Sequence, residues 1–143
     1  MSLKNYFLFV FLFVSFLSSG QGDYTTDYFR SPLDIPIVLS GTFGELRSNH
    51  FHAGMDIKTQ KRTGLNVYAT ADGYVSRIKV ALWGYGKVIY ITHPNGYTSV
   101  YAHLSRFGDG IQEYVKNIQY RKKQYETGNI FPKANEIPEK KGR

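Results

Sequence analysis

A histidine and an aspartate stand four residues apart in His52-Ala-Gly-Met-Asp56, bracketing a glycine. One offers an imidazole nitrogen and the other a carboxylate oxygen, donors that first-row metal ions accept. Further along, Tyr101-Ala-His103-Leu-Ser105 places another histidine near the end of an apolar run. Geometry restricts how His52 and Asp56 can share an ion. On an extended strand four residues span about 13 Å, too far for two donors that each sit about 2 Å from a metal. A helix would bring both onto one face, but the central glycine and the lack of a helical apolar period argue against one. The remaining solution is a bend at Ala53-Gly54, across which imidazole and carboxylate converge. By itself the spacing does not specify a metal.

His103 gains meaning from the run before it. Strand alternation puts Tyr97, Ser99, Tyr101 and His103 on one face, with Thr98, Val100 and Ala102 on the other. Two tyrosines and a histidine make a polar face for a buried side, so it reads as a cleft floor; a surface histidine is the plainer alternative. His50 shares the parity of His52 and either borders the same pocket or is simply exposed. His93 precedes Pro94-Asn95-Gly96 and reads as a turn residue.

The elements that must position these groups are mostly strands. Pro32 and Pro36 disfavour helix around them, and Ile35 to Leu39 predicts a short strand. From Leu65 onward the apolar, β-branched runs are Leu65–Ala69, Gly73–Val80, Lys87–Thr92 and Tyr97–Tyr101. Ala71-Asp72-Gly73 and His93-Pro-Asn-Gly96 supply turns between them, and the last two runs predict a hairpin. After Ser105 the period changes. Asp109 can cap a helix with Ile111, Val115, Ile118 and Tyr125 on one stripe and Gly128 as its stop, so a helix is predicted over about 109–127. That stripe reads as packing rather than a binding groove.

The chain opens with Lys4, an apolar run from Tyr6 to Leu17 and then Ser18-Ser19-Gly20, the pattern of a secretory signal peptide. The run is too short for a spanning helix, which needs roughly 20 apolar residues. The expected organisation is a signal peptide at 1–20, an extended leader at 21–34 and one mainly β domain over 35–143. The chain contains no cysteine, which excludes a lipidated cysteine and a disulfide framework. Its net charge is +7; in an exported protein that charge fits anionic wall or envelope polymers rather than nucleic acid. Much of it sits at the C-terminal end, where a solvated face explains it equally well.

Seven segments occur in a telling order: Gly41-Thr-Phe-Gly44, His52-Ala-Gly-Met-Asp56-Ile57, Val67-Tyr-Ala69, Gly73-Tyr-Val75, Gly84-Tyr-Gly86, Ile91-Thr-His-Pro-Asn-Gly96 and Tyr101-Ala-His-Leu-Ser105. From about Gly41 to Ser105 the chain resembles the lysostaphin-like, or LytM-type, zinc endopeptidases of peptidoglycan. The resemblance implies a small, mostly antiparallel β domain with a groove across its sheet. It implies that His52 and Asp56 are two of three protein ligands to Zn2+, and that His103 is a catalytic histidine outside the ligand set. The implied reaction is metal-assisted hydrolysis of a peptide cross-bridge or stem peptide of peptidoglycan.

The family completes its site with a later His-x-His pair, whereas the four histidines of this sequence are residues 50, 52, 93 and 103. Two protein ligands are fewer than the three of a catalytic zinc site. The expectation is a family member cut short after the N-terminal part of its peptidase domain, binding zinc poorly and inactive alone. The alternative is a non-catalytic peptidoglycan-binding or hydrolase-activating module with a degenerate site.

Overall fold

The computed structural model describes residues 27–142. The expected signal segment and residues 21–26 lie outside the described residues. Residues 27–34 form an irregular segment of turn and bends tied to the body: the Arg30 N–H donates to the Thr70 carbonyl (2.8 Å) and the Tyr68 N–H to the Pro32 carbonyl (2.9 Å). Leu33 is buried there.

A small antiparallel ribbon pairs β1 (Leu39–Gly41) with β2 (Asp56–Ile57). The larger sheet is antiparallel and mainly built from β3 (Gly73–Val80), β4 (Lys87–Thr92) and β5 (Thr98–Tyr101). On the far side of β3, β6 (Gly128–Ile130) pairs with Ile78–Val80, and β7 (Pro138–Glu139) pairs with Gly73 and Tyr74. One helix, α1 (Asp109–Lys122), joins β5 to β6. The architecture is therefore the expected mainly β, antiparallel one with a single helix among the described residues.

Simple alternation would not put Val75 and Ile78 on one face. The β3–β4 register shifts between Val75 and Arg77, and such an extra residue resets the parity of the strand. Val75, Ile78 and Val80 consequently all turn inward, and each is at most 1% exposed. They pack with Ile89, Ile91, Phe107, Ile130 and the buried helix residues Ile111 and Val115. Each such side chain contributes roughly 1.5–3 kcal/mol by leaving water.

The helix stops five residues before the expected position. Lys123 takes the left-handed conformation (φ 52°, ψ 38°), and its N–H and that of Gln124 return to the Tyr120 and Gln119 carbonyls, both at 3.2 Å. Those bonds close the helix before Gly128, whose positive φ instead opens β6. Asp109 is the first helical residue rather than the cap, which is Gly108. Its carboxylate pairs with Arg106.

Two expected strands also differ. Residues 65–69 form no ladder; Tyr68 is instead bonded to the irregular segment at Pro32, and the Ala69 carbonyl accepts from the Gly142 N–H at 2.9 Å. The strand expected over 35–39 is β1, shifted to Leu39–Gly41.

Candidate metal centre

The segment between β1 and β2 is a hairpin with its own pairing. Gly44 N–H donates to the His52 carbonyl and His52 N–H to the Glu45 carbonyl, both at 2.8 Å. Leu46 bridges Phe51, and the Arg47 N–H reaches the His50 carbonyl at 2.9 Å, closing the turn. This pairing sets Arg47 and His52 on facing arms. The chain then bends at Gly54 and returns as β2, where Asp56 lies opposite Gly41. Gly54 has no left-handed backbone, so the bend does not depend on the conformational freedom that glycine alone offers.

Across that bend the two side chains meet. His52 Nε2 stands 3.3 Å from Asp56 Oδ1. The other ring nitrogen, Nδ1, is 3.1 Å from the Thr42 carbonyl. Nδ1 thus faces the Thr42 carbonyl while Nε2 faces the Asp56 carboxylate. Asp56 Oδ2 accepts from Arg47 Nη2 at 2.8 Å, and the same Nη2 lies 3.4 Å from Glu45 Oε2.

The residues can be tested against zinc by that geometry. Tetrahedral zinc with bonds of about 2.0–2.1 Å sets adjacent donors about 3.3–3.4 Å apart. The His52–Asp56 separation therefore fits one edge of such a site. No third His, Cys, Asp or Glu joins them in a metal-capable cluster among the described residues. The pair supplies two corners of a site and no more.

The remaining histidines make no hydrogen bond, ion pair or ring contact with the pair. His103 is exposed and follows β5 rather than ending it. Its backbone is left-handed (φ 56°), held by an N–H bond to the Tyr85 carbonyl at 3.0 Å, and its ring stands edge-on to Tyr85 with centroids 6.4 Å apart. It shares no hydrogen bond, ion pair or ring contact with His52 or Asp56. His50 bonds its neighbour Asn49 through Nδ1 at 2.6 Å.

His93 is only 3% exposed. Nδ1 donates to the Asp72 carbonyl and Nε2 faces Ser99 Oγ, both at 2.8 Å. Ser99 Oγ is 2.9 Å from the Tyr101 hydroxyl, which accepts from the Thr70 N–H at 2.9 Å. The polar face read as a cleft floor is, at Ser99 and Tyr101, an inward hydrogen-bonded relay. The sequence offered a cue in a histidine one tight turn away from same-parity serine and tyrosine. Arg47 had no such cue, because only the hairpin register brings it to Asp56.

Residues 50–120 match the family model described as Peptidase family M23, and this part of the chain belongs to that family. The matched stretch holds His52, Asp56 and His103 and runs on into α1. No curated protein and no solved structure matches the chain.

Proposed function

We propose that the chain is an exported zinc endopeptidase unit of the peptidoglycan-hydrolase type, with His52 and Asp56 as metal ligands. The observation that carries this reading is the 3.3 Å separation of His52 Nε2 and Asp56 Oδ1 within the segment that matches the peptidase family. Zinc, when bound, lowers the pKa of a coordinated water to about 7 and polarises a scissile carbonyl. The protein's own work is to orient and to move protons. Thr42 holds the His52 ring by Nδ1 and Arg47 turns the Asp56 carboxylate. His103, whose ring nitrogens make no hydrogen bond to the described residues, is free to take up or deliver a proton at the reacting amide. A third donor has to come from outside the described residues, so these residues alone bind zinc weakly and cleave nothing.

Retention of the purified chain on isolated peptidoglycan, with and without Zn2+, tests the reading. Retention that rises with Zn2+ and is lost in His52→Ala and Asp56→Ala supports a metal-dependent substrate site. A second reading, a non-catalytic wall-binding module, is favoured by the Arg47 ion pair that already engages Asp56. Retention indifferent to Zn2+ and to both substitutions would select it. Robust zinc-dependent cleavage by the isolated chain would contradict the two-donor account.

A further inference from the structure

Arg47 is the charged side chain in closest contact with the candidate ligands. Its Nη2 meets Asp56 Oδ2 at 2.8 Å, while the other carboxylate oxygen, Oδ1, faces His52 Nε2 at 3.3 Å. The two oxygens are thus divided between guanidinium and imidazole. Nη2 also comes within 3.4 Å of His52 Nδ1. The Thr42 carbonyl lies closer to the same Nδ1, at 3.1 Å. The guanidinium thus touches Asp56 through Oδ2 and His52 through Nδ1, leaving Nε2 and Oδ1 to face each other.

Two further features suit a built position. Gly41 lies opposite Asp56, and a Cβ there would overlap Arg47 Nη2 and stand 2.5 Å from Asp56 Oδ2. A side chain at 41 would require the ion pair to shift. Arg47 Nε is buried without a partner, a cost that persists where another interaction of the same side chain outweighs it.

We infer that Arg47 is the positioning residue of the candidate metal edge: it holds Asp56 by Oδ2 so that Oδ1 is presented beside His52 Nε2. The inference rests on reading His52 and Asp56 as metal ligands. Arg47 also brings a positive charge near a divalent ion, which opposes binding. Glu45 Oε2 lies 3.4 Å from the same Nη2, and the side chains of Arg47 and Asp56 are 35% and 44% exposed. Both the counter-charge and solvent therefore weaken the repulsion, and orientation prevails. Partners that orient metal ligands are worth about 10–100-fold in metal affinity.

The test is a Zn2+ titration of the 15N-labelled full chain, following the His52 Nε2 resonance. That signal reports ligation and not general stability. Arg47→Ala is expected to raise the zinc concentration at half-shift by about tenfold or more. Arg47→Lys keeps the charge without the planar fork and should recover part of the loss. Gly41→Ala leaves both side chains in place but forces the Arg47–Asp56 pair apart and should weaken binding similarly, while Arg47→Lys keeps the test independent of whether Arg47→Ala folds. If wild type and the Arg47 and Gly41 variants shift at the same zinc concentration, or the variants bind more tightly, the inference fails while the metal reading stands. If His52 Nε2 of the wild type does not respond to zinc, the metal reading fails and takes the inference with it.

Discussion

Replacing Tyr101 by phenylalanine separates two accounts of the β5 face. A substrate-facing cleft floor would lose a ligand contact and little stability. In the structure the Tyr101 hydroxyl accepts from the Thr70 N–H at 2.9 Å, touches Thr70 Oγ1 at 3.0 Å and lies 2.9 Å from Ser99 Oγ. Ser99 in turn meets the buried His93 at 2.8 Å. Phenylalanine keeps the ring and its packing but leaves the Thr70 N–H without an acceptor. An unsatisfied donor costs about 1–3 kcal/mol when buried; these groups are part-buried, so about 1–2 kcal/mol is expected. With a urea slope of about 2 kcal/mol/M, the unfolding midpoint should fall by about 0.5–1 M. Ser99→Ala interrupts the same relay, so the double variant should lose less than the sum of the two. An unchanged midpoint for Tyr101→Phe, or strict additivity, would refute the relay as a stabilising unit.

Other consequences follow from single residues. His103→Gly removes a side chain from a left-handed backbone (φ 56°), and the relief of about 1–2 kcal/mol exceeds the entropy cost of glycine; thermal unfolding should show equal or slightly higher stability, and a clear loss would contradict an exposed, non-structural side chain. The Asp72 carboxyl is held below its ordinary range chiefly by the Lys141 N–H, with Lys140 and the Lys141 charge adding to it. A lowered folded-state pKa means that this tether on the segment after β7 is complete above the ordinary aspartate range and is lost as pH falls through the lowered value. The Lys141 amide resonance should track that loss, and Asp72→Asn should abolish its pH response. Hydrogen exchange should be fastest in the ribbon, at amides such as Gly44, His52 and Lys58, and slowest in β3 and β4; equal protection would show that the ribbon belongs to the cooperative core.

What the sequence revealed was what local chemistry controls. β3, β4 and the Pro94-Asn95-Gly96 hairpin are written in β-branched runs and turn residues, and the start of α1 in an apolar stripe. The errors share a cause. The end of α1 depends on Lys123 adopting a left-handed conformation that its residue type does not announce. The face of β5 was read by counting parity through to His103, but the strand ends at Tyr101. His93 looked like a turn residue because its backbone is one, its carbonyl accepting from the Gly96 N–H at 2.9 Å. Its ring reaches Asp72 and Ser99, and such pairing across segments is invisible to periodicity. The bend at Gly54 followed from the span of an extended chain, whereas the part played by Arg47 did not.

The ribbon sets the condition for function. No residue from 35 to 64 belongs to the buried hydrophobic cluster, and Ile37, Val38, Phe43, Leu46, Phe51 and Met55 remain exposed on it. A catalytic metal needs its ligands held to within about 0.5 Å, and side chains on a lightly packed hairpin do not meet that demand through the core. Their order comes instead from polar contacts within the ribbon: Thr42 on His52, Arg47 on Asp56 and Gly41 making room for both. His103 lies outside the ribbon, its N–H held by the Tyr85 carbonyl in the turn between β3 and β4. On the proposed reading, chemistry that uses all three residues needs the ribbon pair and His103 to act on one group, and a shared ion or a bound peptide is the kind of group that would join them. If His52 and Asp56 hold the proposed zinc, metal binding and ordering of the ribbon are one equilibrium, and substitutions that loosen the ribbon should weaken zinc even where they touch no ligand.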